Sequence, residues 1–331
     1  MKNWTKSILT FAALGAASGP ALAQSGVDFY KGKTVTYIVA TAPGGGYDSY
    51  GRLVAEFMQR NLPGSTFVVR NMPGAGHLIG ANAIYASKPD GLTIGTFNTG
   101  LIYNQIVGQE GVKFDLNNMS WIGKAASDPR VFAIASQSPI KTWKELIDQK
   151  TPVNFATAGV GSASYVETVM LTSALKLPIK LLTGYNGTDD QLAMRRGEIV
   201  GSIASRSSYD QFVKNGFGRY IVQIGGKDTD VPQLSSLVTD PKGQELIALV
   251  QSQGDIARLT AGPPGIPADL TAALVGAYKK AMEDKELQER AEKLERPVEP
   301  LYGDDVLKAV KAALNQKPET IAILKEALGK K

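Results

Sequence analysis

The chain has 331 residues, one histidine and no cysteine, and 36 Lys+Arg against 31 Asp+Glu give it a formal charge of +5. The lack of thiols excludes zinc-thiolate sites and cysteine nucleophiles, and a lone histidine excludes a histidine metal pair. Basic residues interleaved with acidic ones form no stripe that would neutralise nucleic-acid phosphates, while the mild positive balance suits an anionic small molecule.

The first residues carry Lys2 and Lys6, a short apolar segment over 7–17 and the triplet Ala21-Leu22-Ala23, which is the layout of a secretory signal cleaved after Ala23. The apolar segment is too short for a bilayer, and no later run of about 20 apolar residues follows. An exported chain of roughly 300 residues is therefore expected, large enough for two lobes with separate cores. From Thr34, "TVTYIVATAPGGG" reads as a strand ending in glycines, and "YDSYGRLVAEFMQRN" spaces Tyr50, Leu53, Val54, Phe57 and Met58 as a helix does. The order returns in "STFVVRN", "MPGAG" and "HLIGANAIYAS", which stops before the Pro89-Asp90-Gly91 turn, and the strand "LTIGTFNTG" follows. Such alternation predicts a parallel sheet with crossover helices and ligand loops along one edge.

"DPRVFAIAS" begins a second set. Behind it come the helix in "SPIKTWKELIDQ", the strand, glycine loop and helix of "VNFATAGVGSASYVETVMLTSAL", the strand "IKLLTG", the loop "YNGTDD", the helix "QLAMRRG" and the strand "EIVGSIAS", which leads to Arg206. "IARLTA" is expected to return to the first lobe. "PPGIPADLTAALVGAYKKAMEDKELQERAEKL" reads as one long amphipathic helix, and "DDVLKAVKAALNQ" and "ETIAILKEALGKK" read as surface helices. The expected fold is α/β: residues 24–126 form lobe one, completed by part of 227–331, residues 127–226 form lobe two, and a pair of crossing strands makes the hinge.

Three glycine loops stand between a strand and a helix: Gly44-Gly45-Gly46, Gly74-Ala75-Gly76 and Gly159-Val160-Gly161. Glycine lets a backbone approach a ligand closely, and the unpaired N–H groups of a helix's first turn attract anions. "GAGHLIG" is a poor dinucleotide fingerprint, because its third glycine is one place late and Asp90 belongs to a turn; no glycine loop is followed by the Lys-Ser/Thr pair of a P-loop. "GVGSA" is not the nucleophile elbow of a hydrolase, so His77 and Ser162 could join a triad only if the lobes closed onto an aspartate.

The segments "APGGGYDSYGRLVAEFM", "VVRNMPGAGHLIGANAIYASKPDGLTIG", "WIGKAASDPRVFAIAS", "FATAGVGSASY" and "GYNGTDDQLAMRRGEIVG" occur in an order that resembles the tripartite tricarboxylate transporter substrate-binding family, also called the Bug family. The resemblance spans almost all of the chain after the leader. It implies two lobes that close over a cleft in the manner of a Venus flytrap, a periplasmic location, a small organic carboxylate ligand and delivery to the membrane permease subunits of such a transporter. The leading reading is a non-catalytic receptor, expected to act as a monomer with no cofactor, metal or nucleic-acid partner. The ligand loops that the resemblance implies are matched in the first lobe by Gly44, Gly45, Gly46, Tyr47, Asp48, Ser49, Gly74, Ala75, Gly76 and His77. In the second lobe they are matched by Gly159, Val160, Gly161, Ser162, Ala163, Tyr185, Asn186 and Thr188.

Asn98, Thr99 and Arg206 join the candidates for selectivity. Amides and hydroxyls bond carboxylate oxygens, and the Arg206 fork would take a second carboxylate. Asp48 would repel a carboxylate, so capping its helix or orienting the loop suits it, with an amine or hydroxyl of the ligand as its alternative partner. Tyr47 and His77 depart from the smaller residues usual at those places in the family, and the stretch 236–254 matches poorly. A periplasmic hydrolase and a receptor feeding a sensor kinase are the competing readings.

Overall fold

The structure, a computed structural model, describes residues 26–227 and 229–329; the expected leader lies outside the described residues. Eleven strands occur in these residues: β1 (Thr34–Val39), β2 (Thr66–Asn71), β3 (Thr93–Phe97), β4 (Ser120–Lys124), β5 (Arg130–Ala135), β6 (Val153–Thr157), β7 (Ile179–Thr183), β8 (Gly201–Ser205), β9 (Gly218–Ile224), β10 (Leu259–Gly262) and β11 (Leu301–Tyr302). They form two sheets, ordered β11-β4-β10-β3-β1-β2 and β7-β6-β8-β5-β9.

The two sheets share one plan. In the first, β1 runs parallel to β2 and β3, and β10 runs antiparallel between β3 and β4. In the second, β6 runs parallel to β7 and β8, and β5 runs antiparallel between β8 and β9. The antiparallel strand is in each case the one that arrives from the other lobe, so the sheets are mixed where local alternation predicts parallel ones.

Side chains alternate across the first sheet as a two-residue period requires. Tyr37 and Val39 pack with Leu53, Phe57, Leu274 and Tyr278 on one face, while Ile38 and Ala40 pack with Leu78, Ile84, Phe97 and Val306 on the other. Phe132, Ile134, Phe155, Met170 and Ile203 form the main core of the second lobe. Leu246, Leu249 and Val250 of helix Pro241–Gly254, and Leu324 of helix Pro318–Ala327, complete that core. The second lobe thus continues past residue 226, where the sequence reading ends it.

One further element differs from the sequence reading, and another extends it. The long charged helix is two, Ala268–Glu283 and Lys285–Lys293, because Asp284 takes an extended conformation and its carboxylate accepts the Glu286 amide at 2.8 Å as a fresh N-cap. Helix Gly303–Leu314 is no mere cover, since it buries Val306, Val310 and Ala313.

The crossing segments lie side by side: the Ala125 amide donates to the Arg258 carbonyl at 3.1 Å and the Asp128 amide to the Gly254 carbonyl at 2.8 Å. A third passage, 315–317, links the helix Gly303–Leu314 of the first lobe to Pro318–Ala327 on the second. Arg258 is the knot of the hinge. It is 1% exposed in a left-handed backbone conformation (φ +60°). Its guanidinium donates to Asp128 and to Ser207 Oγ (2.8 Å) and stacks 4.1 Å from the ring centre of Tyr47. Asp128 in turn accepts the Ser207 amide at 3.0 Å. One buried ion pair therefore joins a first-lobe helix to a second-lobe helix.

Candidate functional site

β1 runs out into the glycine loop, and the helix Gly46–Arg60 starts there with no side-chain cap at Gly45. Gly44 adopts φ +86°, a conformation that side chains with a Cβ resist. Its amide donates to Asp48 Oδ2 at 3.0 Å, and Asp48 also accepts from Arg52 Nε (3.1 Å) and Asn71 Nδ2 (2.9 Å). Burial alone would raise the Asp48 carboxyl, but these donors outweigh it and hold the group below the usual carboxylate range. Asp48 is engaged within its own lobe and organises the loop.

The second loop is left-handed at Gly76 (φ +62°) and at His77 (φ +79°), just before helix Leu78–Tyr85. A Cβ on Gly76 would stand 2.1 Å from the Val160 carbonyl oxygen, so the lobes meet there backbone to backbone. Asn98 sews the same seam. Its Oδ1 accepts the Gly100 amide of its own lobe at 2.8 Å and the Ala163 amide, the first of helix Ala163–Leu175, at 3.0 Å. Asn104 Nδ2 adds a bond to the Gly161 carbonyl at 2.9 Å. Ser162 Oγ accepts the Tyr165 amide at 3.3 Å and lies 3.3 Å from Ser164 Oγ, while the buried His77 Nδ1 has no hydrogen-bond partner.

Between the closed loops is a cavity of about 110 Å³. The first lobe lines it with Thr41, Ala42, Gly45, Gly46, Tyr47, His77 and Asn98; the second lobe contributes Arg130, Ser164, Tyr185, Asp190, Gln191, Ser202, Ser205, Ser208 and Tyr209 among others. Of the residues expected from sequence, Gly45, Gly46, Tyr47, His77, Asn98 and Tyr185 face this space. Gly44, Asp48, Gly74, Ala75, Gly76, Gly159, Gly161, Ser162 and Ala163 build the loops around it without lining it. Ser49 is half-buried on the first helix, Thr99 precedes helix Gly100–Ile106, and Thr188 precedes helix Asp189–Arg196. Asn186 is exposed, with Nδ2 on the Gly184 carbonyl, and Val160 is 57% exposed.

Arg206 is placed elsewhere. It lines a separate cavity of about 980 Å³ beside the hinge, where it lies 3.3 Å from both Asp210 Oδ1 and Gln223 Oε1. The helix Arg206–Lys214 explains this: positions two apart on a helix point about 200° away from each other, so with Ser208 in the interlobe cavity Arg206 faces the far side.

Arg130 is the cation that sequence reasoning passed over. Its Nε donates to Glu167 Oε2 at 2.6 Å and its Nη1 to Ser205 Oγ at 2.6 Å. Burial pushes the fully buried Glu167 carboxyl up to about 7 against the pull of Arg130. The signal was present in "DPRVFAIAS", where Arg130 heads the apolar run 131–135; a charge at the head of a buried strand requires a buried partner.

Burial lowers the His77 imidazole from 6.5 to about 4, so the ring is neutral over the physiological range. The unfolded chain binds this proton below about 6.5 and the folded chain only below about 4. Stability must therefore fall as pH drops through that window, by about 3 kcal/mol at most from this group. The carboxyls of Glu167 and of Asp190, which burial raises to about 6, act in the opposite sense. The difference between the native chain and His77→Asn, whose side chain tolerates a left-handed backbone, isolates the histidine. The melting-temperature gap between the two is expected to move in favour of His77→Asn as pH falls from 7 to 4.5, and a constant gap would sink the assignment.

Two sheets of one plan, hinged by paired crossing segments and facing each other across one cavity, define a two-lobed solute receptor of the Venus-flytrap class. Within that class, the chain belongs to the tripartite tricarboxylate transporter family of receptors, whose model matches residues 51–326. A Cupriavidus necator protein, described as a UPF0065 protein in the gbd 5' region, is 28% identical over 331 residues, covering 96% of this chain and 94% of its own. BugT of Bordetella pertussis is 35% identical over 92 residues, 28% of each chain. Among solved structures, the periplasmic binding protein BugD superposes with a TM-score of 0.75 at 23% identity, covering 91% of this chain and 99% of its own. MatC from Rhodopseudomonas palustris with bound malate gives 0.73 at 21%, covering 88% and 99%. An R. palustris protein with adipate gives 0.73 at 15%, covering 90% and 97%.

Proposed function

We propose that the chain is an exported periplasmic receptor that captures a small organic carboxylate in the interlobe cavity and delivers it to the permease of a tripartite tricarboxylate-type transporter. It acts as a monomer and does not transform its ligand. The observation that carries this reading is the joint lining of one interlobe space by the uncapped start of the helix Gly46–Arg60 and by Arg130. A helix N-terminus and a desolvated guanidinium both favour a negative group, and serines and Asn98 around them supply hydrogen bonds. Receptors of similar fold hold malate and adipate, which agrees with a carboxylate ligand here.

A thermal-shift screen tests it. Small carboxylates are expected to raise the melting temperature while their amides and esters leave it unchanged, because only the folded state binds and the negative charge is what it binds. Stabilisation by neutral sugars or nucleotides with none by any carboxylate would overturn the reading.

A further inference from the structure

The cavity holds a second charge that the carboxylate reading leaves without a task. Asp190 stands in the first turn of the helix Asp189–Arg196 and lines the interlobe space opposite the glycine loop. One of its carboxylate oxygens accepts the Gln191 amide at 2.8 Å and the other accepts the hydroxyl of the buried Tyr209. Both donors are neutral. Among the described residues no lysine, arginine or histidine pairs with Asp190, and its neighbour Asp189 adds like charge. The cation of the same cavity, Arg130, donates to Glu167 and to Ser205 Oγ and not to Asp190, and His77 is neutral. A carboxylate lining the interlobe space thus has two neutral donors but no counter-charge, and burial raises its carboxyl to about 6 against the pull of those donors.

We propose that Asp190 is an amine subsite: the ligand carries an ammonium group beside its carboxylate, the ammonium meets Asp190, and the carboxylate meets the glycine loop and Arg130. The receptor then selects zwitterionic, amino-acid-class carboxylates, and like-charge repulsion at Asp190 disfavours plain diacids. The ammonium has three donors and a carboxylate accepts them at close range. This inference rests on the reading that the cavity takes a carboxylate, and it transfers to Asp190 the amine-binding task that Asp48, enclosed in its own loop by Arg52, Asn71 and Gly44, does not face the cavity to perform.

The test is calorimetric titration with matched sets of increasing chain length, each comprising a diacid, its 2-hydroxy analogue and its 2-amino analogue, for instance succinate, malate and aspartate. The best amino member is expected to bind roughly 100-fold tighter than its desamino partner, as for a charge pair formed in a desolvated site. Asp190→Asn is expected to remove most of that preference, weakening the amino member and tightening the diacid from which the like charge has been removed. Asp190→Ser replaces it should the asparagine variant not fold, as judged by its melting curve without ligand. Diacids or hydroxy acids that bind as tightly as amino acids would overturn the amine subsite and leave the carboxylate reading standing, as would a preference that survives both variants. Failure of every carboxylate in the panel, amino or not, would overturn both.

Discussion

Gly76→Ala is expected to weaken ligand binding by roughly 100-fold while both lobes stay folded. The added Cβ would stand 2.1 Å from the Val160 carbonyl oxygen, a backbone atom of the opposite lobe that cannot rotate aside as a side-chain tip would. The clash exists only when the lobes are closed. Overpacking of this kind costs about 1–3 kcal/mol, and a closed-state penalty near the top of that range corresponds to about two decades of affinity. The left-handed φ of +62° at Gly76 adds strain of about 1–2 kcal/mol, which open and closed forms bear alike and which shows as a lower melting temperature. Calorimetry separates the two effects. Small-angle scattering should further show that a saturating ligand compacts the native protein but not the variant. Native affinity in Gly76→Ala would mean that the contact at Val160 is absent from the bound state.

Arg130→Leu is expected to destabilise the protein by about 3–5 kcal/mol at pH 8, because it strands the fully buried Glu167 without its cation. The double replacement Arg130→Leu with Glu167→Leu should recover most of the loss, since an apolar pair of similar volume needs no desolvated charge. The sign of the pH dependence follows from the raised carboxyl. A group protonated more readily when folded than when unfolded stabilises the fold as pH falls, so the deficit of Arg130→Leu should be smaller at pH 5 than at pH 8. Urea unfolding of the two variants and the native chain at both pH values measures this. A double variant no more stable than the single one would show that packing, not charge, is what Arg130 supplies.

Much of the fold was legible. The alternation in "TVTYIV", the helical spacing from Tyr50 to Met58 and the glycines between them mark a strand, a loop and a helix without reference to any distant residue, and the repeat in the second half of the chain marks a second lobe. The break at Asp284 was legible in principle, since aspartate is a favoured N-cap whose carboxylate accepts the amides of the next turn, but an unbroken charged stripe concealed it. Helix Pro241–Gly254 lies in the stretch 236–254 that matches the family poorly, and it gains its place only through the second-lobe core it completes.

The sequence by itself determined the elements, the two-lobed plan and the loops that flank the interlobe space, because strand and helix periodicity and the conformational freedom of glycine act over a few residues. Only the tertiary structure decided which side chains face that space. Arg130 enters through a partner 37 residues away, Asn98 through the Ala163 amide 65 residues away, and Arg206 is excluded through the phase of the helix it begins. Each of these outcomes depends on which surfaces of the two lobes meet, and a contact between distant segments leaves no period in the chain from which to read it.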